Sequence, residues 1–103
     1  MPSTPDITLI GGGIMGLLSA RELALAGLTV TVLDRQKIGR EASWAGGGIM
    51  LPLYPWRQDA SITTLVNASL TLYPALTQTL HQVTGIDSEY LTSGLLITEN
   101  PDY

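Results

Sequence analysis

Ile7-Thr8-Leu9-Ile10-Gly11-Gly12-Gly13-Ile14-Met15-Gly16 is the stretch on which the fold turns. Four β-prone residues stop abruptly at glycine, as a buried parallel strand does. Good helix formers follow from Ile14 to Ala26, and Gly27 stands where a helix-ending glycine belongs. Thr29-Val30-Thr31-Val32-Leu33 is then β-branched and ends in Asp34. Strand, helix and strand in so short a span predict a compact βαβ unit with parallel strands and a right-handed crossover.

Placed between strand and helix, Gly11-x-Gly13-x-x-Gly16 reads as a phosphate-binding turn. Gly11 permits the tight turn, Gly13 lets backbone approach a pyrophosphate, and Gly16 lets the helix pack closely on the strand. The helix start adds amide donors and roughly half a positive charge. Ala20 and Gly27 extend the pattern as small residues where a bulky side chain would push helix from sheet. Asp34 lies 18 residues after Gly16, the place from which a carboxylate accepts hydrogen bonds from adenosine ribose hydroxyls. That charge repels a 2′-phosphate, which leaves FAD or NAD ahead of NADP, although the adjacent Arg35 pulls the other way.

Composition agrees with a small ligand. The 103 residues carry 5 bases and 9 acids, and charged residues make up 14% against a usual quarter, so the chain reads as globular rather than disordered. All the bases lie in residues 1–57 with four of the acids, whereas residues 58–103 hold five acids and no base. An isolated basic patch in an acidic chain suits a phosphate-bearing small molecule and argues against nucleic acid. With no cysteine and one histidine, a disulfide framework, a thiolate nucleophile and a metal site are all unexpected. The apolar run Ile7 to Ala20 lacks a basic leader, is broken by glycines and is too short for a membrane span, so the expected location is cytoplasmic.

Residues 35–58 have no sustained period and read as a long loop with a short helical turn near Glu41 to Ala45. Within it, Gly39-Arg40-Glu41-Ala42-Ser43-Trp44-Ala45-Gly46-Gly47-Gly48 places a serine hydroxyl able to reach a phosphate oxygen beside three residues without Cβ, against which a flat ring system could lie. A cofactor with a three-ring head needs such a surface and NAD has less use for it, which favours FAD. Tyr54 and Trp56 flank Pro55 and read as loop anchors. Ile62, Val66, Ser69, Tyr73, Leu76, Leu80 and Val83 then recur at helical spacing, in a helix that Pro74 is expected to kink or split. Gly85 ends it, and Leu95-Leu96-Ile97-Thr98 reads as a strand. His81 lies off the apolar stripe and reads as a solvated rim residue.

The Ile-Gly-Gly-Gly-Ile-Met-Gly run, Asp34-Arg35, and Gly-Arg-Glu-Ala-Ser-Trp-Ala-Gly-Gly-Gly-Ile resemble the D-amino-acid oxidase superfamily of FAD-dependent amine oxidoreductases. Within it they resemble the bacterial glycine-oxidase branch that serves thiamine biosynthesis. Leu-Tyr-Pro-Ala-Leu, Thr84-Gly85-Ile86-Asp87 and Ser93-Gly94-Leu95-Leu96 fit the same likeness. The resemblance implies an FAD pyrophosphate at Gly11, Gly13, Ile14, Met15 and Gly16, the ribose at Asp34 with Arg35 beside it, and the inner phosphate and flavin edge against Ala42, Ser43, Gly46, Gly47 and Gly48. It implies hydride transfer from the α-carbon of a small amine or amino acid to flavin, an imine product and reoxidation by O2 to hydrogen peroxide. The cofactor carries that chemistry, and no catalytic side chain is expected within residues 1–103. Members of the superfamily are longer, so the expectation is an N-terminal part: residues 1–57 from the FAD-binding domain, and residues 58–103 a helix and first strand leading into a substrate domain. Two alternatives stand beside it, an FAD-binding piece without turnover and a segment of an NAD-dependent dehydrogenase.

Overall fold

Ile7–Ile10 (β1) and Val30–Leu33 (β2) pair as parallel strands, with Ile7 opposite Val30 and Ile10 opposite Leu33. The computed structural model describes residues 4–50 and 55–98. It divides into two units, Met1–Ile49 and Met50–Tyr103.

In the first unit the helix Ile14–Leu25 (α1) connects the two strands and packs against both. The strands are tied at their entrance by Asp6, whose Oδ2 accepts from the Thr29 amide at 2.8 Å and the Thr29 hydroxyl at 2.9 Å. Those two donors hold the Asp6 carboxyl below its ordinary range, the amide contributing most. Ile7, Leu9, Val30 and Val32 are half-buried, whereas Thr8, Ile10, Thr31 and Leu33 are exposed, Ile10 at 82%. The two-sided burial expected of parallel strands is therefore found on one face. Among the described residues no large apolar side chain is fully buried.

α1 ends as expected at Gly27, with the Gly27 amide on the Ala24 carbonyl at 3.0 Å and the Leu28 amide on Leu23 at 3.1 Å, the paired bonds of a Schellman turn. The reason for glycine there differs from the packing role expected. A Cβ on Gly27 would meet nothing within 4 Å, but its φ is +92°, so the position demands backbone freedom rather than space.

The predicted helical turn after β2 is Ala42–Ala45 (α2), and a 3-10 turn at Pro55–Arg57 precedes the second unit's helix. That helix, Ala60–Thr84 (α3), starts at Asp59, whose Oδ1 accepts from the Ser61 amide at 2.8 Å and the Ser61 hydroxyl at 2.7 Å. Val66, Ser69, Tyr73, Leu76 and Leu80 form its half-buried stripe, with Tyr90 stacked on Tyr73 at 6.2 Å between ring centroids. Ile62 and Val83, expected on the same stripe, are exposed at the helix ends. The helix is not split at Pro74: it runs continuously through it as one element of 25 residues.

The expected strand at Leu95–Thr98 is corrected. No strand is present among residues 86–98, since a strand exists only when hydrogen-bonded to a neighbour and these residues have none.

Candidate functional site

The glycine turn is held from three sides. The Gly11 amide donates to the Leu33 carbonyl at 2.7 Å, continuing the ladder one step past β1, and Gly11 itself has φ +111°. The buried Gly12 donates its amide to Asp34 Oδ2 at 2.7 Å and accepts the Gly39 amide at 2.9 Å. Gly13 caps α1 but has no side chain to serve the helix amides. Ser43 does so instead: its Oγ accepts from the amide of Ile14, 29 residues earlier, at 2.9 Å. A Cβ on Gly16 would collide with the Gly11 carbonyl oxygen, so glycine at this position is set by close packing of the helix on the end of β1.

The Gly13, Met15 and Gly16 amides have no acceptor among the described residues. Three unpaired donors at a helix N-terminus, reinforced by the helix dipole, form a place for an anion.

Asp34 accepts from Gly12 on one oxygen and from the Gln36 amide, at 2.9 Å, on the other. The Gln36 amide first and the Gly12 amide second hold its carboxyl below the ordinary range, overcoming partial desolvation, and Arg35 adds a little. Each oxygen retains a lone pair for another donor. Beside it Arg35 Nε donates to Glu41 Oε1 at 3.3 Å, a pairing that pushes the guanidinium's affinity for its proton up.

An open cleft of about 510 Å³ is lined by Ile10, Gly11, Leu33, Asp34, Arg35, Glu41 and Ala42. Apolar walls from the strand ends, a carboxylate and the adjacent amides bring an apolar surface, a hydrogen-bond acceptor and donors for an anion into one neighbourhood. A Cβ on Gly12 would press on the Ile38 and Asp34 side chains and one on Gly13 on the Ser43 hydroxyl, so the turn and the residues after β2 pack closely at this edge.

The residues expected from the sequence are thus brought together in part. Gly11, Asp34, Arg35 and Ala42 line the cleft; Gly13, Ile14, Met15 and Gly16 form the adjoining turn; Ser43 reaches the turn through Ile14. Met15 is 79% exposed. Gly46, Gly47 and Gly48 follow α2, with the Gly46 amide closing it on Ala42, and none of the three lines the cleft. Trp44 carries Arg40 over its ring at 5.3 Å. Trp56 sits in the 3-10 turn, Tyr54 lies outside the described residues, and His81 is exposed in the last turn of α3.

Sequence reading passed over Glu41 as a partner for Arg35, and Ile38, whose side chain lies 3.0 Å from where a Gly12 Cβ would stand. Neither contact has a periodic signature. Among the described residues no group of three metal-ligating side chains occurs, and no helix is long and apolar enough to cross a membrane.

The family model described as DAO: FAD dependent oxidoreductase matches residues 6–102. The chain belongs to that family. Among its relatives, a glycine oxidase of Pseudomonas aeruginosa is 56% identical over 89 residues, covering 86% of this chain and 24% of the relative. A glycine oxidase of Pseudomonas putida is 47% identical over 90 residues, covering 87% and 25%. A bifunctional protein ThiO/ThiG of Trichormus variabilis is 39% identical over 93 residues, covering 90% and 14%. The chain therefore spans about a quarter of the length of the two glycine oxidases. No solved structure matches.

Proposed function

We propose that this chain supplies the adenosine-diphosphate cleft of an FAD-dependent amine oxidoreductase of glycine or D-amino-acid oxidase type. The observation that carries the reading is Asp34, an ionised acid at the end of β2, bonded to Gly12 of the glycine turn and set beside the three unpaired amides of α1. Gly11, Gly13, Ile14, Met15 and Gly16 hold the diphosphate. Asp34 accepts from the ribose hydroxyls, with Arg35 beside it. Ser43, with Ala42, Gly46, Gly47 and Gly48, serves the inner phosphate and flavin edge.

When bound, FAD supplies a hydride acceptor at which the α-carbon of a small amine or amino acid is oxidised to an imine, with O2 as terminal acceptor giving hydrogen peroxide. The residues of this chain bind and orient. The turn neutralises diphosphate charge through backbone donors without a cation, and the low proton affinity of Asp34 keeps it an acceptor at neutral pH. The reading includes residues 1–57 as FAD-binding, residues 58–103 as leading into a substrate domain, a cytoplasmic setting, and the thiamine-related role that the family resemblance implies.

FAD titration of the chain, followed by quenching of flavin fluorescence, tests the reading. Saturable binding is expected, weakened about tenfold or more in Asp34→Ala, since bonds to a charged acceptor are among the stronger ones. Equal retention by the variant removes Asp34 from its role, and preference for NAD over FAD in competition returns the chain to the dehydrogenase reading. A second reading is FAD binding without turnover, since the described residues that approach the cleft bind and orient and none is assigned a catalytic step. Peroxide formed from glycine or a D-amino acid by the chain alone excludes it.

A further inference from the structure

The cleft holds a contradiction in charge. Asp34 turns away a phosphate on the adenosine 2′-oxygen, yet Arg35, which lines the same cleft, is the side chain best suited to welcome one. The structure places a second carboxylate on the guanidinium: Glu41 Oε1 accepts from Arg35 Nε at 3.3 Å, and Glu41 lines the cleft as well. Its backbone is fixed, because its carbonyl accepts the Trp44 amide at 3.1 Å and the Ala45 amide at 3.2 Å as α2 begins. The Arg35 end is fixed too, since Asp34 Oδ1 takes the Gln36 amide and so bridges across Arg35. Arg40 is drawn off over Trp44.

We propose that Glu41 is a positioning residue that gives the cleft its selectivity for adenosine diphosphates with a free 2′-hydroxyl, by holding Arg35 and cancelling its charge. The inference rests on the reading of the cleft as an adenosine-diphosphate site. With Glu41 in place the lining carries two carboxylates and one guanidinium, a net of −1. A 2′-phosphate, bringing about −1.5 to −2, meets repulsion and no unpaired cation in the cleft lining. Without Glu41 the lining is neutral and Arg35 is released beside Asp34. The Arg35 side chain is 79% exposed and that of Glu41 38%, so the pair is solvated and its effect is of modest size.

The test titrates the chain at low salt, by calorimetry, with ADP and with its 2′-phosphorylated counterpart. The readout is the ratio of the two affinities, because a general loss of structure weakens both together. The parent chain is expected to favour ADP. Glu41→Gln narrows the ratio about three- to fivefold, and Glu41→Lys narrows it further. Adding Arg35→Gln to Glu41→Gln removes the gain, and raising the salt shrinks the parent's discrimination. An unchanged ratio in both Glu41 variants, while the parent binds ADP, overturns the role of Glu41 and leaves the ADP site standing. A double variant that keeps the whole gain overturns action through Arg35. A parent chain that binds neither ligand overturns the ADP reading itself, and this inference with it.

Discussion

Asp34 is an anchor of the loop before it is a ligand for anything else. Its two oxygens hold Gly12 on one side and Gln36 on the other, so the acid organises the turn it adjoins. Asp6 and Asp59 do comparable work at the strand entrance and at the start of α3. All three carboxyls are held below the ordinary value of 3.8 by donors present only in the folded chain: the Thr29 amide then hydroxyl for Asp6, the Gln36 then Gly12 amides for Asp34, and the Ser61 hydroxyl then amide for Asp59. A carboxyl depressed in the folded state adds stability that is present above its unfolded pKa and is lost as pH falls through its folded pKa. The melting temperature should accordingly stay level from neutrality down to about pH 5 and fall below about pH 4. Asp34→Asn should remove part of that acid-side fall. A melting temperature that rises on acidification would contradict the assignment of these carboxylates as native-state acceptors.

At the scale of elements, two glycines of α1 serve unlike ends and separate experimentally. Gly16→Ala drives a methyl group into the Gly11 carbonyl and should cost about 1–3 kcal/mol, as overpacking does. Gly27→Ala has open space but a left-handed backbone, and should cost about 1–2 kcal/mol. Chemical denaturation measures both. FAD binding tells them apart, because only Gly16 belongs to the turn: Gly16→Ala should lose FAD, whereas Gly27→Ala should keep it at temperatures where the variant remains folded. Equal loss in both would mean that α1 as a whole, not its first turn, governs the site. β1, α1 and β2 were legible in the sequence because their signals are local: β-branched runs, a helix period and glycines at each junction. The continuity of α3 through Pro74 was not, since the sequence shows the lost bond but not the neighbouring bonds that outweigh it. Leu95–Thr98 has the composition of a strand, but composition cannot supply the partner that makes one. Ser43 at the Ile14 amide and Glu41 at Arg35 depend on how the loop after β2 folds back, which no spacing rule encodes.

For the molecule as a whole, the described residues place their best-defined chemistry in one unit, within Met1–Ile49, while the other unit contributes a long helix with a single half-buried stripe. Exposed apolar side chains are numerous in both, among them Ile10 at 82% and Leu96 at 84%. A chain with so little fully buried apolar surface has a small stability margin, and a ligand that binds only the folded form should raise it by mass action. The chain's family membership makes FAD the ligand of interest, and the turn makes a particular claim about where its diphosphate rests. The most direct measurement is an FAD titration followed residue by residue through the backbone amide resonances. The account predicts that the largest shifts fall on Gly13, Met15 and Gly16, the amides without acceptors, with a second group around Asp34. Shifts absent from these amides, or concentrated elsewhere in the chain, would contradict it.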